Sequence, residues 1–600
     1  VRLYEDVRAL ESRVAVLQAV AVALLALLVS YFWYLQVLRG RYYKELAENN
    51  RLRTIPIAAP RGPLLDRHGR ILVENRASFN IVLQPDHPQD VDATVARLGR
   101  VLQIGEAQIR ERWARRNPFR PVVVKADAPL AEVAAIEARR LELPDVRVEV
   151  IPLRSYPLAD AAAHALGRVG EISERQLQHP EFQNLSPGDL VGQAGVEQQY
   201  NSKLMGKDGR RRVVVNSRGM EVAEADREPP LGGPQLTLTL DADLQAALDA
   251  AFAGRAGSAV ALDPDTGEIL AMTSLPSYDP NQFSSGIEAS AWSRLATDAA
   301  TPLMNRVIQG QYSPGSTFKI VMAAAALEEG VITPQTTFYC PGYLSIYNTV
   351  FRCHKATGHG VVDVRQALQH SCNVFFYQVG VRLEVDRIAR YARLFGLGSP
   401  AGVDLPHEVS GLIPDSAWKL RTQRTPWYPG ETVSVAIGQG AVTVTPIQQA
   451  RVAAAVASGK LVQPHLVKAV GGEPVKPPPP RELGLKAQTL RVITQGLQAV
   501  VDEGTGRRAR LAGISVCGKT GTAQVVGSAR LTRGAAAQAV QPHGWFVAFA
   551  PAEKPRVALA VLVEHGQSSA SALPIAYAFL QRFFGIKPEQ PQPITVADSR

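Results

Sequence analysis

The chain has 600 residues, room for two large domains or about four of average size. Hydrophobic residues make up 46% and charged residues 20%, which excludes a disordered chain, a collagen and a multi-pass transporter. Lys and Arg number 65 against 55 Asp and Glu, a net +10. Over this length that is a mild bias, suited to an anionic surface or polymer, and no nucleic-acid motif accompanies it. Four cysteines are too few for a disulfide scaffold.

Val14–Leu38 is apolar apart from Gln18, Ser30 and Gln36. At helical rise it is roughly 37 Å long, enough to cross a hydrocarbon core with some tilt. Tyr31, Phe32, Trp33 and Tyr34 form an aromatic belt at one end. The run is too long for a signal-peptide core and lacks a small-residue cleavage site, so an uncleaved anchor is expected. Flanking charges favour the opposite orientation to the one the chemistry below requires. Arg2, Arg8 and Arg13 are offset by Glu5, Asp6 and Glu11, while Arg39, Arg41, Lys44, Arg51 and Arg53 follow the span. Val1 in place of Met reads as an alternative start codon or a trimmed chain.

Residues 41 to about 235 are Arg-rich and mixed in pattern. Strand-like runs (Phe79–Leu83, Val146–Pro152) alternate with helical ones (Pro129–Leu141), and turns fall at Arg67-His68-Gly69 and Lys207-Asp208-Gly209. Pro229-Pro230-Leu231-Gly232-Gly233-Pro234 marks a boundary, and Lys476 with Pro477–Pro480 a stiff surface loop. Beyond the boundary come a strand at Leu236–Leu240 and a helix at Asp241–Ala253. A hairpin of Ser258–Asp263 and Glu268–Ser274 follows, turning at Pro264-Asp265-Thr266-Gly267. Ile514–Val525, Gly544–Ala550 and Arg556–Glu564 read as three more strands, and Leu573–Phe584 as a closing helix. Five strands around a helical block at about 285–505 predict an α+β domain whose antiparallel sheet is built from both ends.

Three short motifs carry chemistry. Ser316-Thr317-Phe318-Lys319 follows Pro314-Gly315 and opens the apolar run Ile320–Leu327. Residues i and i+3 share a helix face, so the Ser oxygen and the Lys amine are expected to meet at a helix N-terminus. Ser needs a base, and Lys is one only when burial or a second cation lowers its pKa. Ser371-Cys372-Asn373 lies between the helical runs Val361–Gln369 and Val374–Leu383. Alone it reads as a helix cap. Lys519-Thr520-Gly521-Thr522 lies in a strand; Lys519 brings the second cation, and Gly521 lets a ligand backbone approach.

S-x-x-K, S-x-N and K-T-G in this order resemble the active-site signature of penicillin-binding proteins and serine β-lactamases. Further segments resemble the class B penicillin-binding proteins. They are Arg61–Gly69, Gly195-Val196-Glu197 with Tyr200-Asn201, Ala261–Met272, and Ile437-Gly438-Gln439-Gly440 followed by Thr445-Pro446-Ile447-Gln448. Within that family, Val213–Arg218, Thr333-Pro334 with Thr337–Cys340, and Val561–Gly566 resemble the elongation branch more than the division branch. One departure stands at His543-Gly544-Trp545-Phe546, where the family has Ala before Trp.

The resemblance implies an organisation. Residues 1–13 are a cytoplasmic tail, 14–38 the membrane anchor, and 39–235 an elongated pedestal of the dimerisation type. Residues 236–586 form the transpeptidase domain and 587–600 a tail. It implies a peptidoglycan D,D-transpeptidase that cross-links stem peptides ending in D-Ala-D-Ala and is acylated by β-lactams. Ser316 is the implied nucleophile, Lys319 its base, Ser371 a proton relay and Asn373 a ligand of the donor amide. Lys519 and Thr520 bind the terminal carboxylate, and the backbone at Ser316 and Thr522 holds the oxyanion, with Gly521 between. The implied partner is a RodA-type polytopic glycan polymerase, engaged through the membrane helix and the pedestal. Two other readings are a scaffold that mainly activates that polymerase, and a β-lactam sensor or β-lactamase, for which no deacylation base stands out.

The chemistry requires no cofactor. Cys340, Cys353, His359 and Cys372 nevertheless fall within 33 residues as C-x₁₂-C-x₅-H-x₁₂-C. A structural zinc set, a Cys340–Cys353 disulfide, and plain packing by Cys372 with an ordinary loop His359 all remain open. Cys517 reads as a buried strand residue.

Overall fold

The computed structural model describes residues 2–44, 52–84, 91–114, 121–183, 185–215, 221–524 and 541–586. The tail at 587–600, Val525, Arg51 and 216–218 of the elongation-type segment lie outside the described residues. The chain forms two compact units. One comprises Val1–Pro60, Ala77–Pro152 and Gly206–Gly232; the other comprises Arg61–Arg76, Leu153–Met205 and Gly233–Arg600.

In the first unit, helix α1 (Arg2–Trp33) continues into a π-helical turn at Tyr34–Leu38. Among the described residues, Leu10–Leu38 is the helical stretch long and apolar enough to cross a membrane, and its apolar side chains are exposed. The helix thus begins well before the apolar run, inside the charged segment expected to be a tail. Leu52–Ile57, Gly209–Val215 and Glu221–Glu228 form an antiparallel sheet with Gly209–Val215 in the middle. Alternating charge explains part of its pairing: Arg210 meets Glu228 at 2.5 Å and Arg211 meets Glu224 at 3.5 Å. A separate small core gathers Ile81 and Leu83 with Val95, Leu98, Val122, Val124 and Ile136. The helix expected at Pro129–Leu141 is shorter, Leu130–Glu137, with Pro129 as its cap.

The second unit is built on a five-stranded antiparallel sheet. Its strands are β1 (Gly257–Leu262), β2 (Ile269–Leu275), β3 (Cys517–Ala523), β4 (His543–Ala550) and β5 (Val557–Val563), in the order β2-β1-β5-β4-β3. The strand period of two sends alternate residues to opposite faces. Ala259, Ala261, Leu559 and Val561 pack under helices α2 (Ala242–Ala251) and α8 (Leu573–Phe583). Val260, Leu262, Ala558 and Ala560 face the helical block instead. That block holds α3 (Lys319–Glu328), α4 (Val364–Gln369), α5 (Asn373–Leu394), α6 (Pro446–Ser458) and α7 (Ala487–Asp502). The block also contains strands that the apolar pattern did not predict. Gly360–Val362 pairs with Phe338–Cys340, so the helix expected from Val361 starts at Val364, after Asp363 caps it. Tyr343–Ile346 and Thr349–Arg352 form a hairpin.

Two of the segments that resemble the family, Arg61–Gly69 and Gly195–Asn201, are joined. Arg61 donates to Glu197 at 2.7 Å and to Asn201 Oδ1 at 3.1 Å, and Arg154 donates to Glu197 at 2.6 Å. Glu197 is fully buried. Burial alone would raise its pKa, but the two guanidinium groups outweigh it and hold the carboxyl below its usual range. Asp66 accepts backbone N–H groups of His68 and Arg70, a tight turn closed by Gly69 at φ 83°. Thr445 and Gln448 form a capping box that starts α6. At the departure from the family, a Cβ on Gly544 would sit 2.3 Å from the Ser568 carbonyl oxygen. The residue lies within β4, between β3 and β5, so the edge strand here is β3.

Replacing Glu197 with Ala is expected to cost about 3–5 kcal/mol, because it strands the buried Arg154 charge. Denaturant unfolding of the detergent-solubilised protein checks this; a loss under about 1 kcal/mol would contradict the role given to the network.

Candidate active site

The three motifs converge. Ser316 sits in a 3₁₀ turn, Gly315–Phe318, and the α-helix begins only at Lys319. The expectation of an α-helical first turn is therefore corrected. The turn opens on Gly315, which takes φ 54° and lies against β3: a Cβ there would be 2.6 Å from the Thr522 carbonyl oxygen. The turn is pinned on several sides. Gly315 N–H donates to the Gly438 carbonyl at 3.0 Å, and the Trp545 indole N–H donates to the Ser313 carbonyl at 3.1 Å. Just upstream, Tyr312 exchanges backbone hydrogen bonds with Val444, and its hydroxyl donates to Glu564 at 2.6 Å.

Lys319 is fully buried. Its Nζ donates to the Ser371 carbonyl at 2.8 Å, to Ser371 Oγ at 3.2 Å and to Asn373 Oδ1 at 2.7 Å. Among the described residues its hydrogen bonds are to the S-x-N motif and not to Ser316, so the expected Ser–Lys hydrogen bond gives way to a Lys–Ser–Asn cluster. Ser371 adopts φ 53°, a left-handed conformation uncommon for Ser, which aims both its carbonyl and its hydroxyl at Lys319. Burial pushes the Lys319 pKa down to about 8, against the opposing pull of the Cys372 and Cys353 sulfurs.

Lys519 is also fully buried, and its Nζ donates to the Thr520 carbonyl at 3.1 Å. Its pKa is pushed far down, first by burial and then by the charge on Lys319. Of the two causes expected for Lys319, burial and a second cation at Lys519, burial is the one that lowers its pKa. Burial is the first cause for both lysines, and for Lys519 the nearby Lys319 charge adds to it. Thr520 Oγ1 lies 2.6 Å from Thr505 Oγ1. Gly521 is required by packing: a Cβ would meet Thr317 Cγ2 at 2.9 Å and Trp545 Cβ at 3.0 Å. Gln439 Nε2 donates to the Thr522 carbonyl at 3.5 Å.

Above these groups opens a cleft of about 500 Å³, lined by Ser316, Ser371, Asn373, Thr520, Gly521 and Thr522. Thr505, Gln439, Arg352, His354 and Tyr377 line it too and were missed in the sequence. Gln439 lies in a segment already marked by resemblance. Thr505 sits between Gly504 and Gly506, a turn signal that was readable but had no chemistry to recommend it.

Cys340, Cys353, His359 and Cys372 also converge, with ligand atoms within 4.8 Å of one another. All four cysteines of the chain are free thiols, so no Cys340–Cys353 disulfide forms; both sulfurs instead face His359 Nδ1 at 3.6 Å. Readings of Cys372 as packing and of His359 as an ordinary loop residue do not account for this. Tetrahedral zinc thiolates stand roughly 3.8 Å apart, so three sulfurs and one imidazole at this spacing fit that ion. The hydrogen bond with Cys372 pushes the Cys353 thiol down and Cys372 up, so the cluster favours a thiolate. Cys353 Sγ accepts the Asn373 N–H at 3.4 Å, which ties the cluster to the S-x-N motif. Cys517 is buried, as expected for a strand residue.

Comparison with known proteins agrees with this geometry. Residues 257–581 match the penicillin-binding protein transpeptidase domain, and residues 56–238 the penicillin-binding protein dimerisation domain. Peptidoglycan D,D-transpeptidase MrdA of Acinetobacter baumannii is 34% identical over 96% of this chain and 88% of that protein. MrdA of Escherichia coli is 33% identical over 90% and 89%. PBP2 of Helicobacter pylori, solved in complex with MreC, superposes with a TM-score of 0.79 at 29% identity, covering 89% of this chain and 99% of that one. A chain from a peptidoglycan synthase complex that coordinates polymerization and crosslinking gives 0.73 at 35% identity, over 97% and 100%. With both domain types matched and full-length relatives above 30% identity, the chain belongs to the penicillin-binding proteins, in their MrdA/PBP2 branch.

Proposed function

We propose that this chain is the elongation-type peptidoglycan D,D-transpeptidase of its cell, working through an acyl-enzyme on Ser316. The observation that carries the reading is the buried Lys319 amine, held by Ser371 and Asn373 at the floor of the cleft that Ser316 lines. With a pKa near 8, Lys319 is neutral often enough to take the Ser316 proton. Ser316 Oγ attacks the penultimate D-Ala carbonyl, and the backbone N–H groups of Ser316 and Thr522 hold the oxyanion. Ser371 passes the proton to the departing D-Ala amine, and the peptide C–N bond breaks. Asn373 Nδ2 orients the donor amide. The terminal carboxylate binds at Thr520 and Lys519. An amine from a neighbouring strand then attacks the ester, forming the cross-link and returning the proton to Ser316. A β-lactam enters as the donor does and leaves a slow ester.

This chemistry takes place on the outer side of the cell membrane. The reading therefore places the part beyond the 14–38 span outside the cytoplasm and 1–13 inside. It assigns 39–235 to the pedestal and 236–586 to the transpeptidase domain, which the two family matches support. The partner is a RodA-type glycan polymerase engaged through the membrane helix and the pedestal. The MreC complex of the H. pylori protein and the synthase-complex relative support a place in such an assembly.

Cys340, Cys353, His359 and Cys372 would hold a structural zinc ion. Bound there, zinc supplies a cross-link between the hairpin Tyr343–Arg352 and the start of α5, with no part in the acyl transfer. The purified protein is expected to carry close to one zinc per chain, and chelation to lower its thermal midpoint by on the order of 5–10 °C. Metal-free protein with an unchanged midpoint would refute this assignment.

Intact-protein mass after incubation with benzylpenicillin tests the main reading. Wild type is expected to gain one penicilloyl group and Ser316→Ala none. Antibiotic turnover without a stable adduct would point to a β-lactamase, and neither adduct nor turnover to a scaffold.

A further inference from the structure

One wall of the cleft comes from outside the three motifs. The hairpin strand Thr349–Arg352 ends at Arg352, whose side chain lines the cleft together with Asn373 and Tyr377. Its backbone is fixed against the S-x-N helix. The Arg352 carbonyl accepts the Tyr377 hydroxyl at 3.1 Å and Asn373 Nδ2 at 3.4 Å, and the next residue, Cys353, accepts the Asn373 N–H at 3.4 Å. Phe351 packs against the Tyr377 ring at 5.7 Å. The base of the Arg352 side chain is therefore held beside the residue that orients the donor amide.

The guanidinium itself has no hydrogen-bond or ion-pair partner among the described residues. Among the described residues no Asp or Glu lines the cleft. Here a permanent cation lines the cleft beside Asn373, without a partner among the described residues and on a different element from Lys519 and Thr520. Among the described residues Arg352 thus adds a cationic position to the one at Lys519, and the terminal carboxylate of the donor occupies only the latter.

We propose that Arg352 is a specificity residue that binds a carboxylate on the side chain of the stem-peptide residue preceding D-Ala-D-Ala. The inference rests on the transpeptidase reading and deepens it, by naming the chemistry of the third residue that the site prefers. A guanidinium meets a carboxylate through two parallel N–H···O bonds, whereas a carboxamide of the same shape offers one acceptor and no charge. The site therefore separates a side-chain acid from its amide, a difference of roughly tenfold or more for a charge-assisted pair.

The test uses the detergent-solubilised full chain and two peptides ending in D-Ala-D-Ala. They are identical except that the preceding side chain ends in a carboxylate or in its carboxamide. Each is scored by the concentration that halves the rate of penicilloyl-adduct formation. Wild type is expected to favour the acid by about tenfold or more. Arg352→Ala is expected to abolish the preference, Arg352→Lys to restore part of it, and Arg352→Glu to reverse it in favour of the amide. Because the readout is a ratio between two peptides on one protein, a variant that is merely destabilised shifts both values and leaves the ratio intact. An equal response of wild type to both peptides, or failure of the acid peptide to compete, would overturn the proposal. So would a preference that survives Arg352→Ala. Absence of any penicilloyl adduct on wild type would instead sink the transpeptidase reading beneath it.

Discussion

Two lysines, Lys319 and Lys519, are buried side by side under one cleft, and most of the catalytic unit is arranged to tolerate them. An ammonium group taken out of water costs several kcal/mol unless acceptors replace its hydration. Lys319 finds three such acceptors, all from Ser371 and Asn373, and its Nζ also lies 5.5 Å from the centre of the Phe376 ring. Lys519 finds one, the Thr520 carbonyl. The left-handed Ser371 and the thiol cluster behind Asn373 make sense as supports for that arrangement. So does the 3₁₀ turn that brings Ser316 against β3. Each places an oxygen or a backbone where a half-neutralised pair of amines requires it. The same desolvation that makes the pair costly also turns Lys319 into a usable base near neutral pH.

The scaffold is stiff where these groups attach. β3 carries Lys519 at the edge of a sheet whose other four strands are nearly all buried. α3 carries Lys319 into a wholly apolar run, Ile320–Leu327. Gly521, Gly315 and Gly438 allow strand, turn and loop to approach more closely than any side chain would permit. Away from the cleft, the buried Arg61–Glu197–Arg154 network joins chain segments more than a hundred residues apart within the same unit.

Much of this was legible from the residues. The continuous apolar runs within Ser258–Ser274 and Gly544–Glu564, broken by turn residues, announced strands because a sheet packed on both faces needs apolar side chains at successive positions. The order of the three motifs announced the reaction. Conformations set by tertiary contacts were not legible. Nothing local to Ser371 signals a positive φ, and nothing local to Ser316 distinguishes a 3₁₀ turn from an α-helical one. The strands around Cys340–Val362 are short and polar on one side, so they carry little periodicity. Spacing left zinc and disulfide equally open for Cys340 and Cys353. Only the approach of His359 and Cys372 to the same point separates them. Arg352 was invisible because its meaning lies in an absent partner, which a sequence does not display.

The claim that everything else serves is that a desolvated Lys319 is the base. The most direct measurement is the second-order rate of Ser316 acylation by benzylpenicillin as a function of pH, followed by mass on the wild-type protein. Free-enzyme pKa values govern that rate. The account predicts a rise of about tenfold per pH unit below a midpoint near 8, levelling above it, as Lys319 loses its proton. A rate that is flat from about pH 6 to 9, or that falls as pH rises, would contradict it.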